Sequence, residues 1–273
     1  MLLDREEYVE QAYFFNALGD RIGAAVATQD LMMSIREEIL ATTKLPLAID
    51  FLVSELKLTG VMGPAMTRLA HYFTPFQAFV VGESERDKGK FDFFVALQIL
   101  AKEARYRAES FTPQGVFLYQ FETLSRNRLG YHHGLEAISR DPLFDDDWKE
   151  WILTVRSQVG LVDFADLVYV RSALYAKDRQ RQGEEPEKPT LFGEKEGRIA
   201  LAHRKKDPLW LFAALERHLN YPTVPRLKPA DESRQMIPNL LRRMDRVEQR
   251  IKLLEEEARG GIDLSRFMPP PGS

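Results

Sequence analysis

The stretch FDFFVALQILAKEARYRAESFTPQGVFLY (Phe91–Tyr119) carries the pattern that decides the fold class. In its first part, apolar residues recur three and four positions apart, which predicts an amphipathic helix over Phe91–Ser110. The apolar stripe consists of Phe93, Leu97, Leu100, Ala101, Ala104 and Ala108. Thr112 and Pro113 then precede a second apolar pattern. Threonine caps the first turn of a helix, and proline lacks the N–H that would stay unpaired there, so we predict a second helix.

The same signal occurs 38 positions earlier, in FTPFQAFVV (Phe73–Val81). Here Thr74 is followed three residues later by Gln77, which completes a capping-box pattern. We therefore interpret both stretches as helix starts and not as a repeated functional motif. The interval is close to the length of helix-pair repeats in solenoid proteins, so stacked helix pairs and an ordinary helix bundle both fit.

Helical spacing recurs along the chain, and convincing strand alternation does not, so we predict an all-α fold. The Thr190–Lys206 stretch is ambiguous between a hairpin and a short helix, and we expect irregular structure there. We also expect Thr28 to cap the second helix. The further predicted helical segments are Asp4–Leu18, Thr28–Leu40, Leu45–Leu58, Asp145–Val159, Val162–Gln182 and Asp207–Asn220.

The C-terminal part of the sequence predicts a separate element. We divide the chain into a helical domain (1–220), a proline-rich linker (221–236), a coiled-coil helix (237–259) and a tail (260–273). Apolar residues in Pro238–Ala258 alternate by four and three, which is a heptad seam and not a broad core face. The predicted dimerisation residues are Leu240, Met244, Val247, Ile251 and Leu254, with Ala258 completing the pattern.

The charges beside this seam predict a parallel homodimer. With Leu240 at position d, Arg243 and Arg250 fall at g, and Glu248 and Glu255 fall at e of the next heptad. In a parallel pair, each g arginine meets the e glutamate of the partner. The alternative is that this short helix folds back onto its own domain.

Composition narrows the function classes. The chain has 273 residues, of which 44% are hydrophobic and 29% charged, with a net charge of −3 and no cysteine. The absence of cysteine excludes disulfides, thiolate zinc sites and cysteine nucleophiles. A dedicated nucleic-acid binder usually carries a basic face, so we do not expect a nucleic-acid partner. The N-terminus is acidic where a signal peptide is basic, and no window has the roughly 20 apolar residues of a membrane span, so we expect no membrane association and a cytoplasmic location.

Two clusters are candidates for chemistry. His132 and His133 are adjacent, and we interpret them as surface or capping residues, although carboxylates from elsewhere could complete a metal site with them. Asp163 and Asp166 lie in an apolar run at a spacing that places both on one helix face, where two carboxylates can divide acid and base roles. The simpler alternative is that Asp163 caps a helix.

No GxGxxG, P-loop or GxSxG motif is present, so we expect no cofactor and no dedicated metal site. The basic runs Arg204–Lys206 and Arg242–Arg243 are short and typical of solvated charge. The leading hypothesis is a non-enzymatic interaction or scaffold protein that binds an unidentified protein partner and self-associates through its C-terminal helix. The alternative is an enzyme of unrecognised type, metal-dependent or not, that uses His132 or His133 with Asp163 or Asp166.

Three stretches carry a resemblance to a known family. They are LATTKLPLAIDFL (Leu40–Leu52), HYFTPFQAFVV (His71–Val81) and LFGEKEGRIALAHRKKDPLWLFAALERHLNYPTVPR (Leu191–Arg226). In these stretches the chain resembles an uncharacterised conserved bacterial protein family with no assigned activity. The resemblance implies a bacterial cytoplasmic setting, and it supplies no catalytic residue.

Overall fold

The computed structural model describes residues 2–22, 26–86, 91–184 and 188–226. In this part of the chain the regular structure is helical, which confirms the all-α prediction, and only two isolated β-bridges are present. The helices are α1 Arg5–Arg21, α2 Thr28–Arg36, α3 Leu45–Thr59, α4 Gly63–Arg68, α5 Pro75–Ser84, α6 Phe93–Ala108, α7 Pro113–Arg126, α8 Tyr131–Ser139, α9 Asp146–Gln158, α10 Phe164–Tyr169, α11 Ala173–Arg181, α12 Glu194–Ala202 and α13 Pro208–Leu219.

The two FTP signals do begin helices. Thr74 precedes α5 and accepts a hydrogen bond from the Gln77 N–H at 3.2 Å, while the Gln77 side chain accepts one from the Thr74 N–H at 3.0 Å. This is a complete capping box, as predicted. Thr112 precedes α7 and accepts from the Gly115 N–H at 3.1 Å. Thr28, however, is the first residue of α2 and not its cap; Ala27 holds that position without a side-chain hydrogen bond, so that prediction was wrong.

The predicted long helix over Val162–Gln182 was also wrong, because it is two helices. The chain breaks between α10 and α11 where the Arg171 carbonyl accepts hydrogen bonds from the N–H groups of Leu191 and Phe192. Ser172 then caps α11 through a hydrogen bond from the Tyr175 N–H at 3.3 Å. These contacts with a segment about 20 residues away satisfy backbone groups that helical continuation would otherwise use.

The expectation of irregular structure over Thr190–Lys206 was wrong in its centre, where α12 forms. One face of this helix is buried, at Glu196, Gly197 and Ala200. Gly197 lies so close to Ser172 that an added Cβ atom would stand 2.3 Å from the serine Oγ. Close packing against the α10–α11 junction therefore stabilises a short helix whose central glycine lowers its intrinsic helix propensity.

Packing between helices distant in sequence is typical of a bundle. α1 lies along α6, and α13 lies against α7. A solenoid repeat contacts mainly its neighbours in sequence, so these pairs favour the bundle over the stacked array. The aromatic centre of the core is Phe117, whose ring lies 4.8 Å from that of Trp151 and 5.8 Å from those of Trp148 and Phe121.

Residues 221–226, the first part of the predicted linker, pack against the helices. Tyr221 is buried, and its hydroxyl donates to Glu122 at 2.8 Å. Val224 is buried, and the Pro225 carbonyl accepts a hydrogen bond from Asn127. The predicted coiled-coil helix, its dimerisation residues and the tail lie outside the described residues. Within those residues, no helix combines the length and apolar character that a membrane crossing requires.

Candidate functional site

The structure gives different contacts to the histidines and to the aspartates that sequence reasoning singled out. His132 and His133 lie exposed in the first turn of α8. Asp163 caps α10 by accepting a hydrogen bond from the Ala165 N–H at 3.0 Å, which confirms the capping interpretation. Asp166 pairs with Arg204. Among the described residues, no hydrogen bond or ion pair joins either histidine to either aspartate.

Instead, the histidines lie beside Glu136, which the sequence reasoning missed. One ligand atom from each of His132, His133 and Glu136 lies within 4.8 Å of the other two. The signal was available, because a glutamate four residues after the first histidine and three after the second shares their face of a helix. The electrostatics oppose a cation, however. Glu136 already accepts a hydrogen bond from Arg140 at 2.5 Å, and the N-terminal turn of α8 carries the positive end of the helix dipole.

A different feature of the described residues is a groove between α1 and α6. It encloses about 320 Å³ and is mainly apolar. The α1 side presents residues at helical spacing, so one face of that helix is left without a covering element. Its lining residues are Arg5, Val9, Ala12, Tyr13, Asn16, Arg105, Ala108 and Glu109.

Two apolar side chains in this groove are exposed although their neighbours are core. Val9 is 41% exposed and Tyr13 is 40% exposed, whereas the preceding residue in each case, Tyr8 or Ala12, is buried. An exposed tyrosine in an apolar groove is typical of a binding surface, because tyrosine contributes a large contact area with few rotatable bonds.

The Tyr13 ring is held in place by a network at the C-terminal end of α1. Its hydroxyl donates to Glu38, and Arg21 donates two further hydrogen bonds to the same carboxylate, at 2.6 and 2.8 Å. The Arg21 guanidinium, followed by the Tyr13 hydroxyl, lowers the pKa of Glu38 to about 2. The hydrogen bond to Glu38 in turn raises the pKa of Tyr13. The carboxylate is therefore ionised and the phenol protonated at neutral pH, so this orientation of the ring is maintained.

The other end of the groove is charged. Arg5 donates from Nε to the Ala108 carbonyl at 3.0 Å, which ties the start of α1 to the end of α6. Arg105 is exposed and has no carboxylate within 4.0 Å among the described residues. With Glu109 as the single acid lining the groove, its lining carries two positive charges and one negative charge. This end of the groove favours an anionic group on a ligand.

A buried ionic cluster lies behind this helix pair. Arg107 on α6 pairs with Glu103 at 3.0 Å and with Asp141, and all three side chains are inaccessible to solvent. Gln120 donates to Glu103 at 2.7 Å, and the Arg107 guanidinium lies 6.0 Å from the centre of the Tyr8 ring. Burial raises the pKa of Glu103, and Arg107 opposes the rise. The cluster has no opening to solvent, so we assign it to holding α1, α6 and α7 together.

The described residues thus form an all-α bundle with an open apolar groove. No protein-family model matches the chain, and neither the curated proteins nor the solved structures contain a match. The case for function therefore depends on the side chains themselves.

Proposed function

We propose that this protein is a non-enzymatic interaction protein whose α1–α6 groove binds an amphipathic helix of a protein partner. The observation that carries the proposal is the exposed Tyr13 ring, held by Glu38 in a groove that no described element covers. Contiguous exposed apolar surface bordered by polar residues is a common feature of protein–protein interaction sites.

A helix is the occupant that the groove fits best. The groove runs along α1 from Arg5 to Asn16, about 16 Å at 1.5 Å per residue, which corresponds to three turns of a partner helix. Partner residues at positions i and i+4 would contact Tyr13 and Val9 in succession. A carboxylate on that helix would lie beside Arg105, whose charge has no described counterpart.

The test compares capture of proteins from a bacterial lysate by the full chain and by two matched variants. Val9→Asp places a charge in the groove, whereas Leu47→Asp places one on the outer face of α3, where Leu47 is 73% exposed. We expect a partner that the wild type and Leu47→Asp retain and Val9→Asp loses. Circular dichroism checks that both variants fold.

A captured protein supports the proposal only if a synthetic peptide of its acidic amphipathic helix binds the chain directly. We expect Tyr13→Ala and Arg105→Glu each to lower the affinity for that peptide by about tenfold, which corresponds to roughly 1.4 kcal/mol. A partner that Val9→Asp retains, or a peptide indifferent to both substitutions, would overturn the proposal.

The second part of the proposal is self-association through the C-terminal segment. It is supported by the heptad spacing of Leu240 to Leu254 and by the arginine and glutamate positions beside it, all outside the described residues. The bacterial family resemblance and the cytoplasmic location also stay proposals, and both are compatible with an intracellular adaptor.

An enzyme that uses His132 or His133 with Asp163 or Asp166 is the second candidate. One observation favours it: the clustering of His132, His133 and Glu136, whose ligand atoms could bind a divalent transition metal. Titration of the full chain with Co²⁺ tests it through the visible spectrum. Saturable binding that His132→Ala abolishes would favour this candidate, and the absence of binding at millimolar Co²⁺ would remove it.

A further inference from the structure

A cavity of about 220 Å³ lies at the junction of α10 and α11, and it shares no lining residue with the α1–α6 groove. Its floor is the junction itself, and one wall is a face of α11 with residues three and four apart. Its lining residues are Val170, Arg171, Ser172, Tyr175, Ala176, Arg179, Lys188 and Thr190. Three of these eight side chains are cationic, and none is acidic.

Arg171 is the feature that gives this cavity its chemistry. Its residue is only 6% exposed, yet no carboxylate of the described residues lies within 4.0 Å of its guanidinium. Nε donates to the Pro189 carbonyl at 3.0 Å, which fixes the plane of the guanidinium. Burial lowers the pKa of Arg171. The carboxylates of Glu150 and Asp147 oppose this fall in pKa from beyond ion-pair distance. Arginine stays protonated at neutral pH, so a nearly buried positive charge lines the cavity without a carboxylate in direct contact.

The other two cations are engaged only by exposed acids. Arg179 pairs with Glu184 and lies 6.0 Å from the centre of the Tyr175 ring. Lys188 pairs with Glu150 at 2.6 Å. Exposed ion pairs of this kind contribute little to stability, so an incoming anion can replace them at little cost.

The two hydroxyl groups that line the cavity differ in whether they already make hydrogen bonds within the protein. The Ser172 hydroxyl donates to the Tyr169 carbonyl at 2.7 Å and accepts from the Tyr175 N–H, so it is engaged in the helix cap. The Thr190 hydroxyl makes no hydrogen bond to another described residue. Thr190 can therefore donate to an oxygen of a ligand in the cavity.

We propose that this cavity binds the phosphate group of a small phosphate monoester. A planar guanidinium with a fixed orientation donates two parallel hydrogen bonds to phosphate oxygens, and two further cations neutralise the second negative charge. The Tyr175 ring supplies an apolar wall for the carbon part of the ester. This inference does not rest on the proposed partner-binding groove, and the two use different residues.

Isothermal titration calorimetry of the full chain tests the proposal with inorganic phosphate, phenyl phosphate and acetate as probes. We expect saturable binding of phenyl phosphate, weaker binding of inorganic phosphate and none of acetate at equal concentration. Arg171→Gln and Arg179→Gln should each lower the affinity for phenyl phosphate by at least about tenfold. Arg181→Gln is the matched control, because Arg181 is on the same helix, has an 80% exposed side chain and does not line the cavity.

The exposed Arg179 keeps the test decisive if Arg171→Gln fails to fold. If Arg179→Gln and Arg181→Gln lower the affinity for phenyl phosphate equally, binding depends only on general surface charge, and the proposal is overturned. Acetate binding as tight as phosphate binding, or no saturation by phenyl phosphate at about 10 mM, would overturn it as well.

Discussion

Arg107 on α6 and Asp141, in the turn after α8, form an ion pair whose two side chains are fully buried, 34 residues apart in sequence. The same guanidinium binds Glu103 one helical turn earlier. One cation thus joins two carboxylates inside the bundle, and it does so directly behind the helix pair that forms the groove.

We expect Arg107→Met to destabilise the protein by about 3–5 kcal/mol, because it leaves two buried carboxylates without their cation. The control is Arg105→Met, two residues away on the exposed face of the same helix, which should change stability by less than about 0.5 kcal/mol. The free energy of unfolding from urea titration measures both. Equal effects of the two substitutions would contradict the assigned role of the cluster.

The raised pKa of Glu103 predicts a pH dependence of stability. A carboxyl whose pKa is higher in the folded state than in the unfolded state binds its proton more tightly when folded. Its contribution is therefore fully present below the ordinary value of 4.5 and is lost as pH rises through the raised folded value. Glu103→Gln removes this titration, while Arg107, Asp141 and Tyr8 continue to face the site.

The measurement is urea unfolding of the wild type and Glu103→Gln at intervals from pH 4 to pH 8. We expect the stability of the wild type relative to the variant to fall as pH rises above about 4.5. Ser139→Ala changes a residue that does not titrate and serves as the control. Its free energy of unfolding should change with pH in the same way as that of the wild type. A constant difference between wild type and Glu103→Gln over the whole range would refute the prediction.

Gly63 and Gly82 lie close together where α4 meets α5, but substitution by alanine should change stability in opposite directions at the two positions. A Cβ at Gly63 in α4 would stand 3.0 and 3.1 Å from backbone atoms of Gly82 in α5, so the two helices would have to separate. A Cβ at Gly82 meets nothing within 4 Å. We expect Gly63→Ala to destabilise by about 1–3 kcal/mol and Gly82→Ala to stabilise by about 0.5–1 kcal/mol. Thermal unfolding midpoints compare them, and a shared sign would contradict this account.

The heptad seam predicts that the intact chain sediments as a dimer and that a version ending at Asp231 sediments as a monomer. Ile251→Asp places a charge at an a position and should also give a monomer, whereas Gln249→Asp, outside the seam and the g and e positions, should not. A monomeric intact chain would refute the homodimer. A dimer that survives truncation at Asp231 would place the interface elsewhere.

Local chemistry was sufficient to predict much of the helical structure. The capping of α5 by Thr74, of α7 by Thr112 and of α10 by Asp163 follows from side-chain hydrogen bonds that span only two or three residues. The α3 helix followed similarly, with Pro46 in its first turn and Gly60 at its end in the left-handed conformation, φ 78°. Such features depend on residues close together in the sequence and can therefore be predicted from it.

The candidate site, the α1–α6 groove, could not be predicted from the sequence in the same way. Val9 and Tyr13 look like ordinary positions of an amphipathic helix, and only the packing of α1 along α6 leaves them beside an open groove. The Tyr13–Glu38 hydrogen bond joins residues 25 positions apart. No local pattern signals that contact, and none signals that Arg171 lacks a carboxylate beside it.

The sequence by itself determined that this protein is helical and where most helices begin, because helix capping and apolar periodicity act over a few residues. Tertiary structure alone decided the break between α10 and α11, the existence of α12 and the surfaces that can bind. The Lys44 N–H at the start of α3 shows the reason: its acceptor is Glu7, 37 residues away. Hydrogen bonds and burial across such distances depend on how the helices pack together, and that arrangement exists only in the folded chain.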